Sequence, residues 1–261
     1  MNIKTGKEAR LLIREEKWTE PTPGLAPGYT QANLVILPKK YALDFFLFCQ
    51  RNPKPCPLLD VTEPGSYKTV LFAEDGDIRT DIPRYRIYRN GVLEKEVNNI
   101  KEYWEDDMVA FLIGCSFSFE NALVEAGIRI RHIDENVNVP MYVTNIECVP
   151  GGMFSGPMVV SMRPIPKDQV ELAAKITGML PQVHGAPVHI GDPAEIGIKD
   201  INKPDFGDAV TIKEGEVPVF WACGVTPQAA IMKVKPEFVI THAPGYMMIG
   251  DTLDKELMIK C

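Results

Sequence analysis

Apolar and polar positions alternate along the chain in two periods. Ala9, Leu12 and Ile13 recur with Glu16 at helical spacing, so residues 7–17 predict an amphipathic helix. A Pro/Gly-rich loop, TEPTPGLAPGYTQAN, ends it; LVILPKK then reads as a strand and YALDFFLFCQRN as a helix with a strongly apolar face. Prolines keep PKPCPLLDVTEPGS irregular. In TDIPRYRIYRNGVLEKEV, Ile87 and Tyr88 lead into Asn90-Gly91, a favoured two-residue turn pair, and Val92 and Leu93 begin the return strand of a hairpin. IKEYWEDDM predicts a helix that feeds the next strand.

The sharpest change of period lies in AFLIGCSFSFENALVEAGI, Ala110 to Ile128. Val109–Ile113 reads as a buried strand and Phe117–Ala126 as a short helix, with Gly114, Cys115 and Ser116 at the corner. Two strands (VPMYVTNIE and GPMVVSMRPI), a helix (KDQVELAAKITGML) and a long Gly/Pro/His/Asp-rich stretch from Gln182 to Ile212 follow. VPVFWACGVTPQAAIMKVKPEFVITHAPG then repeats the earlier grammar: a strand ends in Ala-Cys-Gly, and Thr226-Pro227 supplies an N-cap and a first-turn proline. Two such corners predict an α/β fold with its ligand edge where strands end and helices begin. The expected architecture is an α/β sandwich-like main subdomain, residues 1–119 plus 215–261, carrying a smaller α+β subdomain inserted at 120–214. The cleft between them is expected where the Cys115 and Cys223 corners face the His184–Asp192 loop.

Composition narrows the function classes. At 261 residues, with 45% hydrophobic and 24% charged positions, the chain is an ordinary globule able to bury a core. A net charge of −7 argues against nucleic acid, yet a local arginine cluster can still hold a small anionic substrate. The longest apolar run, Met108–Phe119, is too short for a bilayer, which needs about 20 residues, and the N-terminal residues lack the pattern of a signal or transit peptide. No membrane partner is expected, and a cytoplasmic location is. Six scattered cysteines, Cys49, Cys56, Cys115, Cys148, Cys223 and Cys261, form no C-x-x-C pair and read as reduced thiols. No dinucleotide, P-loop or zincin motif is present, so no cofactor and no metal are expected. A homo-oligomer is left open.

Several constellations could carry chemistry, and each has a plain structural alternative. At Gly114-Cys115-Ser116-Phe117-Ser118, a nucleophile elbow would want glycine where Ser118 stands, so that motif fails. There remains a helix N-terminus suited to anions, with Ser116, a thiol that the helix dipole would favour as thiolate, and Glu120 as acid or base. The alternative is a buried Cys115 and an ordinary cap. DIRTDIPRYRIYR gathers Arg79, Arg84 and Arg86, whose guanidinium forks would grip a carboxylate, or else form scattered surface ion pairs. QVHGAPVHIGDP holds His184 and His189, candidates for proton transfer beside Asp192, or satisfied surface histidines. Asn33, Asn145, Thr226 and Gln228 add amides and a hydroxyl for substrate binding. Asp205, Asp208, His242 and Asp251 sit in turn-rich settings, where an Asp most often bonds its local backbone.

The blocks PGYTQANLVILP, RNPKPCPLLDVTEPG, DIRTDIPRYRIYRNG, FLIGCSFSFENAL, RHIDENVNVPMYVTNIECVPGGMFSGPMVVSMRPI, VHGAPVHIGDPAEIGIKDINKPDFGD, VFWACGVTPQ and THAPGYMMIGD closely resemble the D-glutamate cyclase family and its bacterial hydro-lyase branch. The resemblance runs in order over nearly the whole chain; Gly151-Gly152 stands where an Ala-Gly pair is expected. It implies removal of water from D-glutamate to close 5-oxo-D-proline. That reaction needs an amine freed of its proton, an acid for the departing oxygen and donors for a tetrahedral oxyanion. Chemistry then suggests Arg84 or Arg86 for the α-carboxylate, His184 or His189 for the amine proton and Glu120 as the acid. The N–H groups at Ser116 and Phe117, or those opening the helix at Thr226, would receive the oxyanion, and Cys115 could instead form a thioester. Dehydration of another small acid, and a non-catalytic small-acid binding module, are the alternatives.

Overall fold

A computed structural model describes residues 3–259, so Cys261 lies outside the described residues. The chain opens with α1 (Gly6–Arg14), whose N-cap Thr5 hydroxyl accepts the Glu8 N–H at 3.1 Å. There follow β1 (Tyr29–Pro38), α2 (Lys39–Arg51), β2 (Leu58–Val61) and the hairpin of β3 (Tyr85–Arg89) and β4 (Val92–Val97). Asn90 and Gly91 take φ values of 50° and 78°, the left-handed pair a two-residue hairpin turn requires. The helix expected over IKEYWEDDM shrinks to one tight turn, Lys101–Tyr103. Glu105, Asp106 and Asp107 would load the negative end of a helix dipole there. Trp104 instead turns extended, and its indole N–H donates to the Gly65 carbonyl at 3.0 Å.

The remaining elements are β5 (Met108–Gly114), α3 (Phe117–Glu125), α4 (Arg131–Asp134), β6 (Met141–Glu147), β7 (Pro157–Pro166), α5 (Val170–Gly178), β8 (His189–Ile190), β9 (Glu216–Ala222), α6 (Val225–Val234), β10 (Val239–His242) and β11 (Met248–Leu253). This mixture of helices and sheets is an α/β fold. One seven-stranded sheet runs β2-β5-β1-β10-β3-β4, with β11 also pairing β1, and a four-stranded sheet runs β6-β7-β9-β8. Every strand pair among the described residues is antiparallel.

The central strands of both sheets are buried on both faces. In β1, Ala32, Leu34 and Ile36 join Tyr85, Ile87, Leu112 and Ile240 on one side. Val35 and Leu37 face the other way, onto Phe45 and Phe48 of α2 and Ala230 and Ile231 of α6. That is the period-two split of a strand without a solvent face. In the smaller sheet, Ile165, Val219 and Trp221 pack under α3 and α5, while Tyr142, Val160, Met162 and Phe220 face Ile196 and Ile198.

The expected subdomain boundary at 215 needs correction. β10 and β11 pair with β1, but β9 pairs with β7 in the smaller sheet, from Val160↔Ala222 to Pro166↔Glu216. β7 is buried almost throughout and needs a partner on each edge; β6 supplies one and β9 the other. The two strand-to-helix corners therefore cross in opposite senses. β5 leaves the large sheet and sends α3 to the small one, while β9 leaves the small sheet and sends α6 to the large one.

Candidate functional site

The crossing sets the two corners side by side. A small cavity of about 70 Å³ lies between them, lined by Cys115, Ser116, Cys223 and Gly224 together with Asn33, Gln228 and His242. It is well below the volume of pockets for drug-sized ligands, about 300–1,000 Å³. Asn138 and Phe117 also line it, and no Asp, Glu, Lys or Arg side chain does.

Glycine permits the close approach at both corners. A Cβ on Gly114 would collide with the carbonyl oxygen of Gln182, and one on Gly224 with the Asn33 amide. Asn33 reaches across from β1, its Nδ2 donating to the Gly114 carbonyl at 3.1 Å. Among the described residues no donor bonds its Oδ1, which leaves that oxygen for a ligand. The first turn of α3 closes through Ser118 N–H to Cys115 and Phe119 N–H to Ser116, and that of α6 through Thr226 N–H to Cys223. The N–H groups of Phe117, Gly224 and Val225 instead lie against the two thiols, weak acceptors that an anion would outbid.

The thiolate expectation fails. Burial pushes the Cys115 thiol up to about 12 against the pull of the Phe117 N–H, and burial likewise raises Cys223. Two buried thiols at helix N-termini are neutral groups here, because desolvation outweighs the dipole.

Behind Ser116 stands a residue the sequence reading did not single out. Arg163, on β7, is fully buried; its Nη2 donates to Ser116 Oγ at 3.1 Å and its Nη1 to Ser161 Oγ at 2.8 Å. Its Nε donates to Glu120 at 2.8 Å, and Nη2 also bonds that carboxylate. His132 Nε2 lies 3.4 Å from the same Glu120 oxygen. The rings of Phe119 and Trp221 lie against the guanidinium. Glu120 is therefore no general acid: against the cost of burial, Arg163 and His132 hold it below the usual carboxylate range, and it is absent from the cavity lining. Arg163 can only donate, so Ser116 Oγ accepts from it and the serine hydrogen is left for the cavity. One signal in the sequence pointed this way: a lone arginine inside the apolar strand MVVSMRPI.

His242 is the imidazole at the cavity. Its Nδ1 lies 3.1 Å from the Leu34 nitrogen and 3.3 Å from the Leu34 oxygen; in the tautomer with the hydrogen on Nε2, Nδ1 accepts the Leu34 N–H. Burial pushes its pKa down to about 4, with the Leu34 backbone pulling upward and Arg86 adding to the depression.

Other sequence candidates are placed elsewhere. His184 is buried under the end of β5, Nδ1 to the Lys54 carbonyl at 2.9 Å, and burial lowers it to about 4. His189 sits on the outer strand β8, bonded to the Asp192 carbonyl at 2.7 Å and lying against Phe220. The two histidines thus miss the cavity, and so does the loop that carries them. The arginines do not converge: Arg79 pairs with Asp77, Arg86 with Glu96, and Arg84 lies over Tyr246. Nearby carboxylates take up Arg79 and Arg86, and a ring from the segment before β11 takes up Arg84. Asn145 is exposed on β6 against Gly197, and the Thr226 hydroxyl is spent on the Val159 backbone, at 2.9 and 3.1 Å. Asp205 and Asp208 accept the Val143 and Asn138 N–H groups, and Asp251 binds Arg10, all structural roles. Of the sequence candidates, the structure gathers Asn33, Cys115, Ser116, Gln228 and His242.

The model of the family described as D-glutamate cyclase matches residues 109–251, from β5 through β11, and so includes both corners. This chain belongs to the D-glutamate cyclase family. "Putative hydro-lyase GK2103" of Geobacillus kaustophilus is 63% identical over 97% of this chain and 96% of its own length. "Putative hydro-lyase YcsI" of Bacillus subtilis is 64% identical over 97% and 98%. "Putative hydro-lyase" of Clostridium beijerinckii is 62% identical over 94% of each. Among the described residues of this D-glutamate cyclase family member, no helix is long and apolar enough to cross a membrane. None of their His, Cys, Asp and Glu side chains group in threes as metal ligands.

Proposed function

We propose that this chain is a hydro-lyase that closes D-glutamate to 5-oxo-D-proline in the cavity between α3 and α6. The observation that carries this reading is the convergence of two helix N-termini, Ser116, Asn33 and His242 on one small hollow without an acidic side chain. Helix N-termini favour a carboxylate and the tetrahedral oxyanion that forms from it. The same positive field, with no carboxylate to pair an ammonium, favours the neutral amine that must attack.

The proton balance follows. The amine nitrogen forms a bond to the γ-carboxyl carbon, one C–O bond breaks, and the oxygen leaves as water. The two protons water needs are the two the ammonium gives up. With His242 and both thiols neutral and Glu120 engaged by Arg163, the site works through fixed donors rather than a titrating base. Ser116, primed by Arg163, donates its hydroxyl hydrogen to the oxyanion, and His242 Nε2–H donates to the departing oxygen as a neutral imidazole. Asn33 Oδ1 accepts from the amine and sets its line of attack.

The test is formation of 5-oxoproline from each glutamate enantiomer, followed by chiral chromatography. Turnover of the D-enantiomer should fall by about 10²–10³ in Ser116→Ala, the scale of losing one oxyanion donor. No product from either enantiomer would overturn the substrate assignment. Full turnover in Ser116→Ala would overturn the role of the corner.

A further inference from the structure

The cavity at the two corners is nearly shut. Its polar groups on Asn33, Cys115, Ser116 and His242 belong to residues only 4–8% exposed. Its 70 Å³ is about a quarter of the smallest ordinary small-molecule site, about 300 Å³, so a five-carbon amino acid enters only if a wall moves.

Most walls belong to elements locked into the core: Asn33 to β1, and the corners to β5 with α3 and β9 with α6. Two lips are irregular chain, Asn138 and Val139 before β6, and the Ala243–Tyr246 turn between β10 and β11. The first is packed backbone on backbone, since a Cβ on Gly207 would fall 2.0 Å from the Val139 carbonyl oxygen. Asp208 also accepts the Asn138 N–H at 3.0 Å. The second is looser: a Cβ on Gly245 would meet only Pro21, at an ordinary 3.7 Å. Tyr246 N–H closes this turn on the Ala243 carbonyl at 2.9 Å, with Pro244 and Gly245 (φ 86°) in the central places of a type II turn. Ala243 is anchored to the Arg84 carbonyl and Tyr246 packs on the core beneath Arg84, so the movable part is the Pro244-Gly245 tip.

One residue ties that tip down. The N–H of Thr22, fully buried in the Pro/Gly-rich segment before β1, donates to the Gly245 carbonyl at 2.9 Å. The Thr22 hydroxyl accepts the Met247 N–H at 2.9 Å and donates to Gln31 Oε1 at 2.9 Å. Gln31 Nε2 donates back to the Thr22 carbonyl at 3.2 Å.

We propose that the Pro244-Gly245 tip is a lid over the cavity and that Thr22, seated by Gln31, is the latch that holds it shut. The need for an opening rests on the proposed substrate; the latch geometry does not.

Cys115 and Cys223 report the lid without any turnover, because labelling of thiols inside the cavity tracks the population of the open form. Methyl methanethiosulfonate labelling of the full chain, read peptide by peptide in a mass spectrometer, follows both. Thr22→Val removes the latch hydroxyl and should speed labelling by about tenfold, the scale of one hydrogen bond. The converse variant locks the lid. The Cβ positions of Pro21 and Gly245 lie 3.7 Å apart, within the range of about 3.5–4.5 Å that a disulfide spans. Pro21→Cys with Gly245→Cys, oxidised by glutathione disulfide, should label Cys115 and Cys223 about tenfold more slowly than its reduced form. It should also form no 5-oxoproline until dithiothreitol restores both. Equal labelling of the oxidised and reduced lock, or full turnover by the oxidised lock, would overturn the lid, and a folded Thr22→Val labelled at the wild-type rate would overturn the latch. A lock that slows labelling in a chain that never cyclises glutamate upholds the lid and removes the substrate.

Discussion

Acid should weaken this fold well before its carboxylates protonate, and two histidines set the window. His184 and His242 are buried as neutral rings, each with a pKa pushed down to about 4 from an ordinary 6.5. In the unfolded chain both bind protons as pH falls through 6.5; in the folded chain they wait until about 4. Between those limits the unfolded state carries more protons, so stability declines as pH falls and the loss levels off below about 4. At about 1.4 kcal/mol per pH unit, each histidine accounts for roughly 3 kcal/mol over the window. Together they approach the whole stability of a marginal domain, about 5–15 kcal/mol. Urea unfolding followed by tryptophan fluorescence, at half-unit steps from pH 7.5 to 4.5, reads the slope directly. Asparagine is the replacement of choice. Its amide can take over the Nδ1 bond of either ring, and it tolerates the left-handed φ of 82° at His184. His184→Asn and His242→Asn should each remove about half of the slope. A flat profile between pH 6.5 and 4.5, or a slope untouched in the double variant, would refute the reasoning.

The buried network behind Ser116 makes a second prediction. Arg163→Met strands the Glu120 charge and should cost about 3–5 kcal/mol, while Glu120→Leu with Arg163→Met should recover much of that, a non-additivity that a double-mutant cycle in urea measures. Below the usual carboxylate range, protonation of Glu120 removes its pairing with Arg163, so wild type should lose further stability there that the double variant does not. Gly224→Ala should push the Asn33 amide off the Gly114 carbonyl, costing about 1–3 kcal/mol in stability and most of the turnover. Cys115, with its thiol at about 12, should resist iodoacetamide at pH 8 in the folded protein, and Cys115→Ser should keep turnover within about tenfold of wild type.

Local pattern was enough for most elements. The Asn90-Gly91 hairpin and the strand-to-helix steps after Gly114 and Ala222 rest on turn chemistry and side-chain period, both of which act within a few residues. The expected cap at Thr226 does not hold, since α6 starts at Val225 and the Thr226 hydroxyl bonds the Val159 backbone on β7. The two cysteine corners could be recognised as one kind of feature for the same reason, and Asn33, Ser116 and Gln228 were legible as polar groups near them. The helix expected at Ile100–Met108 was lost to a contact with Gly65, about forty positions away, which no local window contains.

What the sequence alone determined was most of the elements, the existence of two anion-suited helix starts and the family; β2 (Leu58–Val61), in a stretch read as irregular, and the loss of the helix after Ile100 were not among them. Tertiary structure decided which charges meet them. Arg84 and Arg86 looked like the substrate's arginines because they are dense and close together, yet the partners on their own hairpin and β11 side consume them. Arg163 looked like one residue of an apolar strand. It is the guanidinium behind the site because β7 is paired on both edges and faces the first turn of α3. Charge state followed the same rule: a helix start predicts a thiolate and a histidine predicts a base. Burial, set by strands and helices far apart in order, leaves both neutral.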